Sequence, residues 1–598
     1  MFLRCATRKK NGKDHRYWTL VENRRVAGGQ VVQRQVLYLG EINDTQREVW
    51  RKSIEVFEEG RSTPRTVALF AEDRTEPIEE EHVIHVRLKD LEVRRARQWG
   101  ACWLGCELYE QLQLDRFWAE RLPPSRKGTR WDLILQTLCL YRLIDPGSEW
   151  RLHRSWFERT ALADLLGSDF RLAESHRLYD CHDLLLKHKE ALFTHLTARW
   201  KDLFNAKFEV LLYDLTSTYF ESAPAFGEGD KRQFGYSRDK RPDCVQVVIA
   251  LIVTPEGFPL AYEVLAGNTS DKATLADFLK KIEAQYGKAE RLWVMDRGIP
   301  TEKVLAEMRA SEPPLSYLVG TPKGRLRKLE AALMDRPWEQ VRPGVRVKLL
   351  PHEGELYVQA QSQARVSKER AMRRRQLRKL YKRLSELQKM KQLSAKALLI
   401  KIGEAKKEAG RVFGLLDLKL PTPGRVKAKK SKTTVSFTFR INRAKFRDTY
   451  RREGQYLLRS NLSQQAPATL WEYYTQLTHV EEAFKNLKGD LGIRPLYHQL
   501  EHRIEAHIFI AFVAYCLQVT LRRRLRDLAP GLTARAVLEK FGALQMIDVH
   551  LPTSDGRTLV LSRYTQPEND LQLLLKQLKL RLPAQPPPRI TASGQLAK

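Results

Sequence analysis

Three acidic residues, Asp214, Asp296 and Glu481, stand in segments that a folded chain can bring together. Asp214 closes the apolar run FEVLLYD and Asp296 closes LWVMD, so each aspartate is predicted at the end of a buried strand. Glu481 lies in the helical pattern WEYYTQLTHVEEAFKNLK. Converging carboxylates repel one another unless a cation lies among them, and oxygen-only ligands favour Mg²⁺ or Mn²⁺. Two such ions about 4 Å apart can activate an attacking oxygen and stabilise a leaving oxygen, which predicts metal-dependent phosphoryl transfer.

The segment around Glu481 carries two further polar residues at a regular spacing. Tyr474, Glu481 and Lys488 are each seven residues apart, and a heptad drifts only about 20° around a helix, so one helical face is predicted to carry all three. The neighbouring stripe is apolar and comprises Phe484, Leu487 and Leu491. We expect this stripe to pack the helix on a sheet, Lys488 to hold a backbone phosphate and Tyr474 to stack on a base or sugar.

Each of these residues also has a simpler interpretation. Asp214 and Asp296 precede turn-like sequences and can serve as turn or cap residues, and Glu481 has the competing neighbour Glu482. The segment also carries four histidines that are candidates for a metal cluster: His479, His498, His502 and His507. Because no H-E-x-x-H motif is present, we interpret them as phosphate contacts or satisfied interior groups. The order of two strand-end aspartates and a later helical glutamate favours a shared acidic site.

The elements around the two aspartates occur in a definite order. Strands are predicted at 208–214, 245–253, 258–265, 292–296 and 316–319, with a hairpin turn at Pro255-Glu256-Gly257 and a helix at 272–286. The first three strands are expected to be antiparallel, and the crossover helix makes the fourth parallel to the first. This pattern predicts a mixed α/β sheet in which Asp214 and Asp296 lie side by side.

The composition indicates a polyanionic partner. The chain has 598 residues and a formal net charge of +32, with 42% apolar residues, which predicts several cores under a basic exterior. Its seven cysteines are scattered in a way that does not resemble a disulfide framework. No signal peptide is apparent, and the longest apolar run, 508–517, is too short to cross a bilayer and predicts a buried helix. We therefore expect a cytoplasmic protein that binds nucleic acid and no membrane.

The region between the fourth strand and Glu481 has a different character. Residues 365–410 hold 16 Lys or Arg against 4 Asp or Glu, with leucines at helical spacing, which predicts a long basic helix or helical hairpin that packs on itself or on a partner chain. The run VSFTFRI predicts a half-buried strand. The C-terminal tail PAQPPPRITASGQLAK is predicted to be disordered.

Four motifs resemble the DDE transposases of bacterial insertion sequences, across most of residues 206–520. They are YDLTSTYFE with Asp214, GNTSDKATL at 267–275, VMDRGIP with Asp296, and YYTQLTHVEEAFKNLK with Glu481. The last resembles the branch with a Tyr-x2-Arg-x3-Glu-x6-Lys signature, whose register selects Glu481 over Glu482. Leu477 occupies the arginine position here, so Lys485 and Arg494 are the candidates for that DNA contact.

The resemblance implies a ribonuclease-H-like catalytic domain interrupted by an insertion before the glutamate. The predicted domains are an N-terminal β-containing unit (1–98), a helical DNA-binding domain (99–205), the catalytic domain (206–320 plus 465–520), a basic helical and β insertion (321–464), and a C-terminal helical region with a disordered tail (521–598). The implied site comprises Asp214, Asp296 and Glu481 as catalytic and metal-binding residues, and Tyr474, Lys485, Lys488 and Arg494 as DNA-binding residues.

The resemblance also implies the reaction. Hydrolysis at the terminal inverted repeats of a mobile element would free 3′-OH ends, which then attack target DNA at the same two-Mg²⁺ site. The expected partners are double-stranded DNA and a second copy of the chain in a synaptic complex, at the bacterial nucleoid. A host nuclease without strand transfer and a non-catalytic repressor derived from a transposase remain as alternatives; a carboxylate-pair glycosidase fits the basic charge less well.

Overall fold

The computed structural model describes most of the chain. The described residues are 2–10, 13–25, 31–59, 84–126, 128–221, 229–270, 275–287, 290–296, 299–321, 329, 332–333, 336–390, 395–420, 437–462 and 464–591. Its internal contacts divide the chain into two compact units. Unit 1 comprises Met1–Ala6, Arg16–Leu315 and Thr475–Lys598, and unit 2 comprises Thr7–His15 and Ser316–Tyr474.

The N-terminal region contains a helix and a hairpin, which the strand-like runs 17–22 and 31–39 on either side of Gly28-Gly29 predict. Strands β1 (Phe2–Lys10), β2 (Lys13–Arg25) and β3 (Val31–Gly40) form a small sheet, in which β2 and β3 are antiparallel. The predicted Gly28-Gly29 connection lies outside the described residues. Helix α1 (Asp44–Glu59) follows, and its buried Trp50 donates an indole hydrogen bond to the carbonyl of Pro530, 2.6 Å away.

The next hundred residues are helical, as expected from the spacing of their apolar residues. The α-helices are α2 (Gly100–Gln111), α3 (Leu114–Arg121), α4 (Trp131–Ile144), α5 (Glu149–Arg151), α6 (Leu162–Leu165), α7 (Ser175–His182) and α8 (Lys189–Phe204). Short 3-10 or π segments lie at Leu88–Asp90, Leu152–Trp156, Phe157–Arg159, Phe170–Ala173 and Leu186–His188. Helix α4 ends before Pro146-Gly147, and Ser148 caps α5 by accepting a hydrogen bond from the backbone N–H of Arg151 at 3.2 Å.

The mixed sheet of unit 1 has the predicted topology. Its strands are β5 (Val210–Tyr219), β6 (Gln246–Val253), β7 (Pro259–Ala266) and β8 (Leu292–Met295), in the order β8-β5-β6-β7. β5 and β7 are each antiparallel to β6, and β8 is parallel to β5. Helices α9 (Leu275–Tyr286) and α10 (Glu302–Ala310) flank β8 in the chain. The predicted α/β class is confirmed.

One strand boundary was predicted wrongly. β5 does not end at Asp214 but continues to Tyr219, which pairs with Gln246 of β6. The apolar run ends at Asp214, yet the following Ser217 and Thr218 are buried, with exposures of 1% and 0%. β-branched and hydroxyl side chains fit the interior of a sheet when their neighbours pack closely. Strand β5 therefore extends beyond the apolar run from which it was predicted.

A long buried helix, α16 (Glu501–Leu528), packs against α4 and the helix that carries Glu481. It is the one helix of the described chain that is long and apolar enough to cross a membrane, but 94% of its apolar window is buried inside the protein. The prediction of a buried helix at 508–517 is therefore confirmed. Tyr515 of α16 donates a hydrogen bond to the carbonyl of Gly257, 2.8 Å away in the turn between β6 and β7.

The C-terminal region differs from the prediction of a helical region with a disordered tail. Helices α17 (Ala534–Phe541) and α18 (Asn569–Gln577) are present, but the region also forms a second sheet. Its strands are, in spatial order, β18 (Arg589–Thr591), β17 (Thr558–Tyr564), β16 (Gln545–Pro552) and β4 (Glu92–Gln98). Part of the predicted disordered tail is thus the edge strand β18, because its backbone pairs with β17. Residues 592–598 of that tail lie outside the described residues. Arg97 and Asp548 form a buried ion pair at 2.8 Å that fixes the register of β4 and β16.

Unit 2 contains a sheet and a helical hairpin. The strands β10 (Glu339–Arg342), β11 (Val345–His352), β12 (Glu355–Ser362), β15 (Gln455–Ser460) and β9 (Ser316–Gly320) are neighbours in that order. The remaining elements are α11 (Gln363–Lys389), α12 (Ala395–Ala409), a 3-10 segment (Gly410–Leu415), β13 (Leu416–Lys419), β14 (Thr438–Ile441), α13 (Arg443–Arg451) and α14 (Pro467–Thr475).

The predicted basic helical hairpin is formed by α11 and α12. Leu380, Leu384 and Leu387 are buried against Leu398 and Ile402 of the second helix. The hairpin therefore packs on itself, and its lysines and arginines are exposed or half-buried, with the exception of the buried Arg373. The predicted strand VSFTFRI is shorter than expected in the described residues, because pairing covers only Thr438–Ile441.

Candidate functional site

The sheet of unit 1 sets the two aspartates side by side. Tyr213 of β5 pairs with Met295 of the parallel strand β8, and Asp214 and Asp296 are the next residues on these two strands. Asp214 is half-buried and accepts a hydrogen bond from the backbone N–H of Leu215 at 2.8 Å, whereas Asp296 is exposed. The parallel register thus positions both carboxylates side by side, directly after the last residues of β5 and β8 that pair with each other.

Glu481 lies on helix α15 (Leu477–Lys488), which packs against β5 and β6. The predicted apolar stripe of Phe484, Leu487 and Leu491 is buried, with exposures of 6%, 4% and 0%. The side of α15 that carries Glu481 is exposed to solvent. The stripe therefore fixes the helix on the strand of Asp214 and leaves Glu481 accessible. We refer to Asp214, Asp296 and Glu481 as the acidic triad.

The neighbouring Glu482 has partners of its own. Its Oε1 lies 3.2 Å from Arg522 of α16, and its Oε2 lies 3.9 Å from His479. The contact with His479 lowers the pKa of Glu482, and Arg522 adds to this against the opposing effect of burial. Within the described part of the chain, no comparable ion pair holds Glu481.

The donor atoms of the acidic triad are not in mutual contact. Among the described residues, one group of three or more potential metal ligands has donor atoms that all lie within 4.8 Å of one another, and it contains no member of the triad. Strand β5, which carries Asp214, pairs with β8 and packs against helix α15.

Two predicted DNA-binding residues meet at a third side chain. Lys488 Nζ donates to Asp239 Oδ1 at 2.8 Å, and Arg494 forms an ion pair with the same oxygen. Asp239 is 7% exposed, and its second carboxylate oxygen is buried without a hydrogen-bond partner. Burial lowers the pKa of Lys488, and the contact with Asp239 offsets part of this effect. The two cations thus converge on one carboxylate oxygen of Asp239.

The other two predicted DNA-binding residues are Lys485 and Tyr474. Lys485 is exposed on α15. Tyr474 belongs to α14 in unit 2, where its ring contacts Tyr456 and Trp471 at centroid distances of 6.0 and 6.3 Å. The predicted single helix through Tyr474, Glu481 and Lys488 is wrong in this respect, because the helix is interrupted at Gln476.

Sequence reasoning missed Asp239 and Arg522. Asp239 lies in SRDKRPDC, a polar stretch with alternating charges that shows no periodicity. Arg522 lies in the basic end of α16, where three consecutive arginines look alike. A charge pattern alone does not tell which arginine faces the neighbouring helix.

Two family models match the chain. Residues 206–517 match the family model described as "Transposase DDE domain". Residues 3–66 match the model described as "IS1634 family transposase, N-terminal domain". The first match contains all three acids of the triad and spans the insertion between β8 and α15. It confirms the predicted ribonuclease-H-like fold class for the mixed sheet.

Among solved structures, the chain is similar to the piggyBac transposase in its synaptic complex with hairpin DNA. The identity is 10%, the alignment covers 77% of this chain and 82% of that chain, and the TM-score is 0.32. No curated protein matches the chain.

Proposed function

Because this chain belongs to the DDE transposase family and is a DNA transposase, we propose that it cleaves the terminal inverted repeats of an insertion sequence and joins the freed 3′-OH ends to target DNA. The observation that carries the proposal is the pairing of Tyr213 with Met295, which aligns Asp214 with Asp296. Helix α15 packs on the same strand and presents Glu481 on its exposed side.

The acidic triad has the donor chemistry for two Mg²⁺, with Mn²⁺ as a substitute. Its donors are carboxylate oxygens alone, which hard divalent cations prefer over nitrogen or sulfur. When bound, these ions would supply charge stabilisation to the attacking and leaving oxygens of an in-line displacement. The chain contributes the fixed positions: the sheet holds the two aspartates, and the apolar stripe of α15 holds Glu481 on β5.

Lys488 and Arg494 would bind a DNA backbone phosphate. Asp239 now accepts from both, and a backbone phosphate carries the same single negative charge on oxygen acceptors that these two cations can bind. On this proposal the carboxylate keeps the two cations oriented until DNA replaces it. Lys485 adds an exposed charge along the same helix, and Tyr474 supplies an aromatic face for a base or sugar.

The net charge and the proposed reaction indicate where the protein would act and in which assembly. A net charge of +32 attracts DNA through counterion release, so the transposase would act on the bacterial nucleoid in the cytoplasm. Coordinated cutting needs two element ends in one complex, so the active form would be a homodimer in a synaptic complex.

The adjacent glutamates give a matched test. Glu481→Gln should abolish Mg²⁺-dependent nicking of an end-containing duplex without loss of binding in a gel shift. Glu482→Gln should retain most of the nicking, because its carboxylate pairs with Arg522 and not with the triad. The reverse ranking would contradict the assignment of the third acid.

Strand transfer is tested separately with precleaved ends. Joined products are expected with the wild-type chain and a target plasmid. A host nuclease of the same fold would cleave the duplex and yield no joined product, and a derived repressor would bind and do neither.

A further inference from the structure

One buried cluster in unit 1 has no part in the proposed reaction. Glu149 begins α5, His182 ends α7, His507 lies in α16, and His498 lies in the segment that joins α15 to α16. Donor atoms of these four residues all lie within 4.8 Å of one another. Glu149, His182 and His507 are 5%, 0% and 6% exposed. We refer to these residues as the histidine–glutamate cluster.

Four of the six donor–donor distances in the cluster are close to the edges of a coordination tetrahedron, and the other two lie within 4.8 Å. Glu149 Oε1 lies 3.5 Å from His182 Nε2, 3.5 Å from His498 Nε2 and 3.5 Å from His507 Nδ1. The nitrogens of His498 and His507 are 3.2 Å apart. Four ligands at the zinc bond lengths of about 2.0–2.1 Å are separated by about 3.3–3.4 Å in a tetrahedron. The three contacts of Glu149 are long for hydrogen bonds, whereas His498 and His507 lie within hydrogen-bond distance of each other. All four spacings suit ligands that share a metal ion.

The tautomer of His182 indicates that a cation is needed. Its Nδ1 lies 2.8 Å from the carbonyl oxygen of Leu178, which can only accept, so Nδ1 carries the proton. In the neutral ring the lone pair of Nε2 then faces a carboxylate oxygen, and this buried Nε2 makes no hydrogen bond. Two acceptors that face each other in a buried site require a metal ion or an added proton between them. Metal-bound histidines commonly donate their other N–H to a backbone carbonyl, as His182 does.

Burial and neighbouring groups shift the pKa values of two residues of the cluster, His507 and Glu149. Burial lowers the pKa of His507 to about 3, and the nearby Arg142 adds to this effect against the opposing contact with Glu149. For Glu149, burial raises the pKa, but contacts with the three histidines outweigh it and leave the pKa well below its usual value.

Arg142 is the one further charged group whose contact with Glu149 is seen in the described chain. Its Nη2 lies 3.8 Å from Glu149 Oε1, beyond hydrogen-bond distance, and its Nη1 donates to the carbonyl of Gly492 at 3.2 Å. The guanidinium is therefore held by the backbone of the 489–500 segment and does not fill the space between the four donor atoms. A cavity of about 640 Å³ adjoins the cluster and gives an ion a path from solvent.

We propose that Glu149, His182, His498 and His507 bind one Zn²⁺ as a structural site. Three imidazole nitrogens and one carboxylate oxygen complete a four-coordinate shell, so no position is left for substrate. Nitrogen-rich donors favour zinc over the hard cations that suit the acidic triad. The site would tie α5 and α7 of the helical region to α16 and to the segment that leaves α15. It would therefore hold the region around Arg494 in place for DNA.

Metal analysis of the full-length chain, purified without a histidine tag, tests the proposal. About one equivalent of zinc per chain is expected after reconstitution and desalting. His182→Ala should weaken zinc binding by about 100-fold or more, since loss of even an outer partner costs 10–100-fold. His502→Ala is the matched control, because His502 is exposed on the same helix as His507 and contacts Asp183 instead. Asp214→Asn should keep its zinc, which separates this site from the proposed catalytic one.

A spectroscopic readout does not depend on the variants folding. Co²⁺ added to the zinc-free wild-type chain should give the visible bands of tetrahedral coordination, and a zinc chelator should lower the melting temperature. If the wild-type chain retains no zinc and Co²⁺ gives no tetrahedral spectrum, the proposal is wrong. The four residues would then be a proton-linked polar core. Zinc retained equally by His182→Ala and the wild type would also overturn it.

Discussion

The acidic triad and the histidine–glutamate cluster are both sets of possible metal ligands in unit 1, and they are built in opposite ways. Asp296 and Glu481 are exposed and the triad's donors are spread apart, whereas the cluster is buried and its donors have already converged. Triad ligands come from two strands and one helix, and the cluster draws on three helices and a connecting segment.

The difference reflects what each site is proposed to admit. A catalytic site must accept DNA between its ligands, so its carboxylates stay accessible and rely on the substrate and ions to draw them together. A structural site admits nothing, so burial and backbone hydrogen bonds fix its ligands in advance. Exposure of the donors, more than their number, separates the two kinds of site in this chain.

The largest expected effect comes from substitutions in the acidic triad, which leave the histidine–glutamate cluster unchanged. Asp214→Asn and Asp296→Asn should each lower the nicking rate by about 10³-fold or more, because several kcal/mol of charge stabilisation is lost. The melting temperature should change little for Asp296→Asn, since this residue is exposed. Rates are measured with an end-containing duplex in Mg²⁺. Near-normal nicking by either variant would remove that aspartate from the site.

Selective metal removal should divide the two sites. Omission of Mg²⁺ should stop nicking and leave the melting temperature unchanged. Removal of zinc should instead lower the free energy of unfolding, by about 4 kcal/mol where free zinc exceeds its dissociation constant a thousandfold. Calorimetry with and without each metal gives both quantities. An equal melting-temperature response to Mg²⁺ and to zinc would contradict the division.

A smaller effect concerns the cations beside the triad. Lys488→Ala should weaken DNA binding several-fold and reduce the salt slope of the affinity by about 1, because one phosphate contact is lost. Asp239→Asn should act in the opposite direction, since it removes the carboxylate that competes for Lys488 and Arg494. Both are measured by fluorescence anisotropy across a salt series. Weaker binding by Asp239→Asn would show that Asp239 serves only to position the cations.

The smallest expected effect is on the free energy of unfolding, when the exposed His502 is substituted instead of a buried histidine of the cluster. His502→Ala removes a contact of 2.9 Å with Asp183, which Arg503 also holds. Exposed ion pairs contribute about 1 kcal/mol or less, so the free energy of unfolding should change by no more than that. Chemical denaturation measures it. A loss as large as that of His182→Ala would mean that the cluster extends to the surface.

The sequence was sufficient for the order of the central elements. The apolar runs before Asp214 and Asp296 mark β5 and β8, and the length of the intervening helix requires a parallel crossover, so their adjacency follows from topology. The apolar stripe of α15 could also be predicted, from the helical spacing of Phe484 and Leu487. The full extent of β5 was not, because buried Ser217 and Thr218 look polar.

Contacts between distant segments set the limit of prediction. The sequence drew attention to His498 and His507 but gave no reason to join them to Glu149 and His182, which lie in a helical region with no local metal motif. The pairing of β16 with β4 is equally remote, and its key contact is a buried arginine with an aspartate. Such pairs depend on three-dimensional packing and produce no periodic pattern in the sequence.

Gly257 shows how far the support of the reaction centre reaches. Its φ of +91° suits a residue without a side chain, and an added Cβ would clash with the guanidinium of Arg522. Arg522 is also the partner of Glu482, the residue after Glu481. Even an alanine in this hairpin turn would displace the arginine and loosen the restraint on α15. One small residue, far away in the sequence, thereby leaves room for the arginine that pairs with this helix.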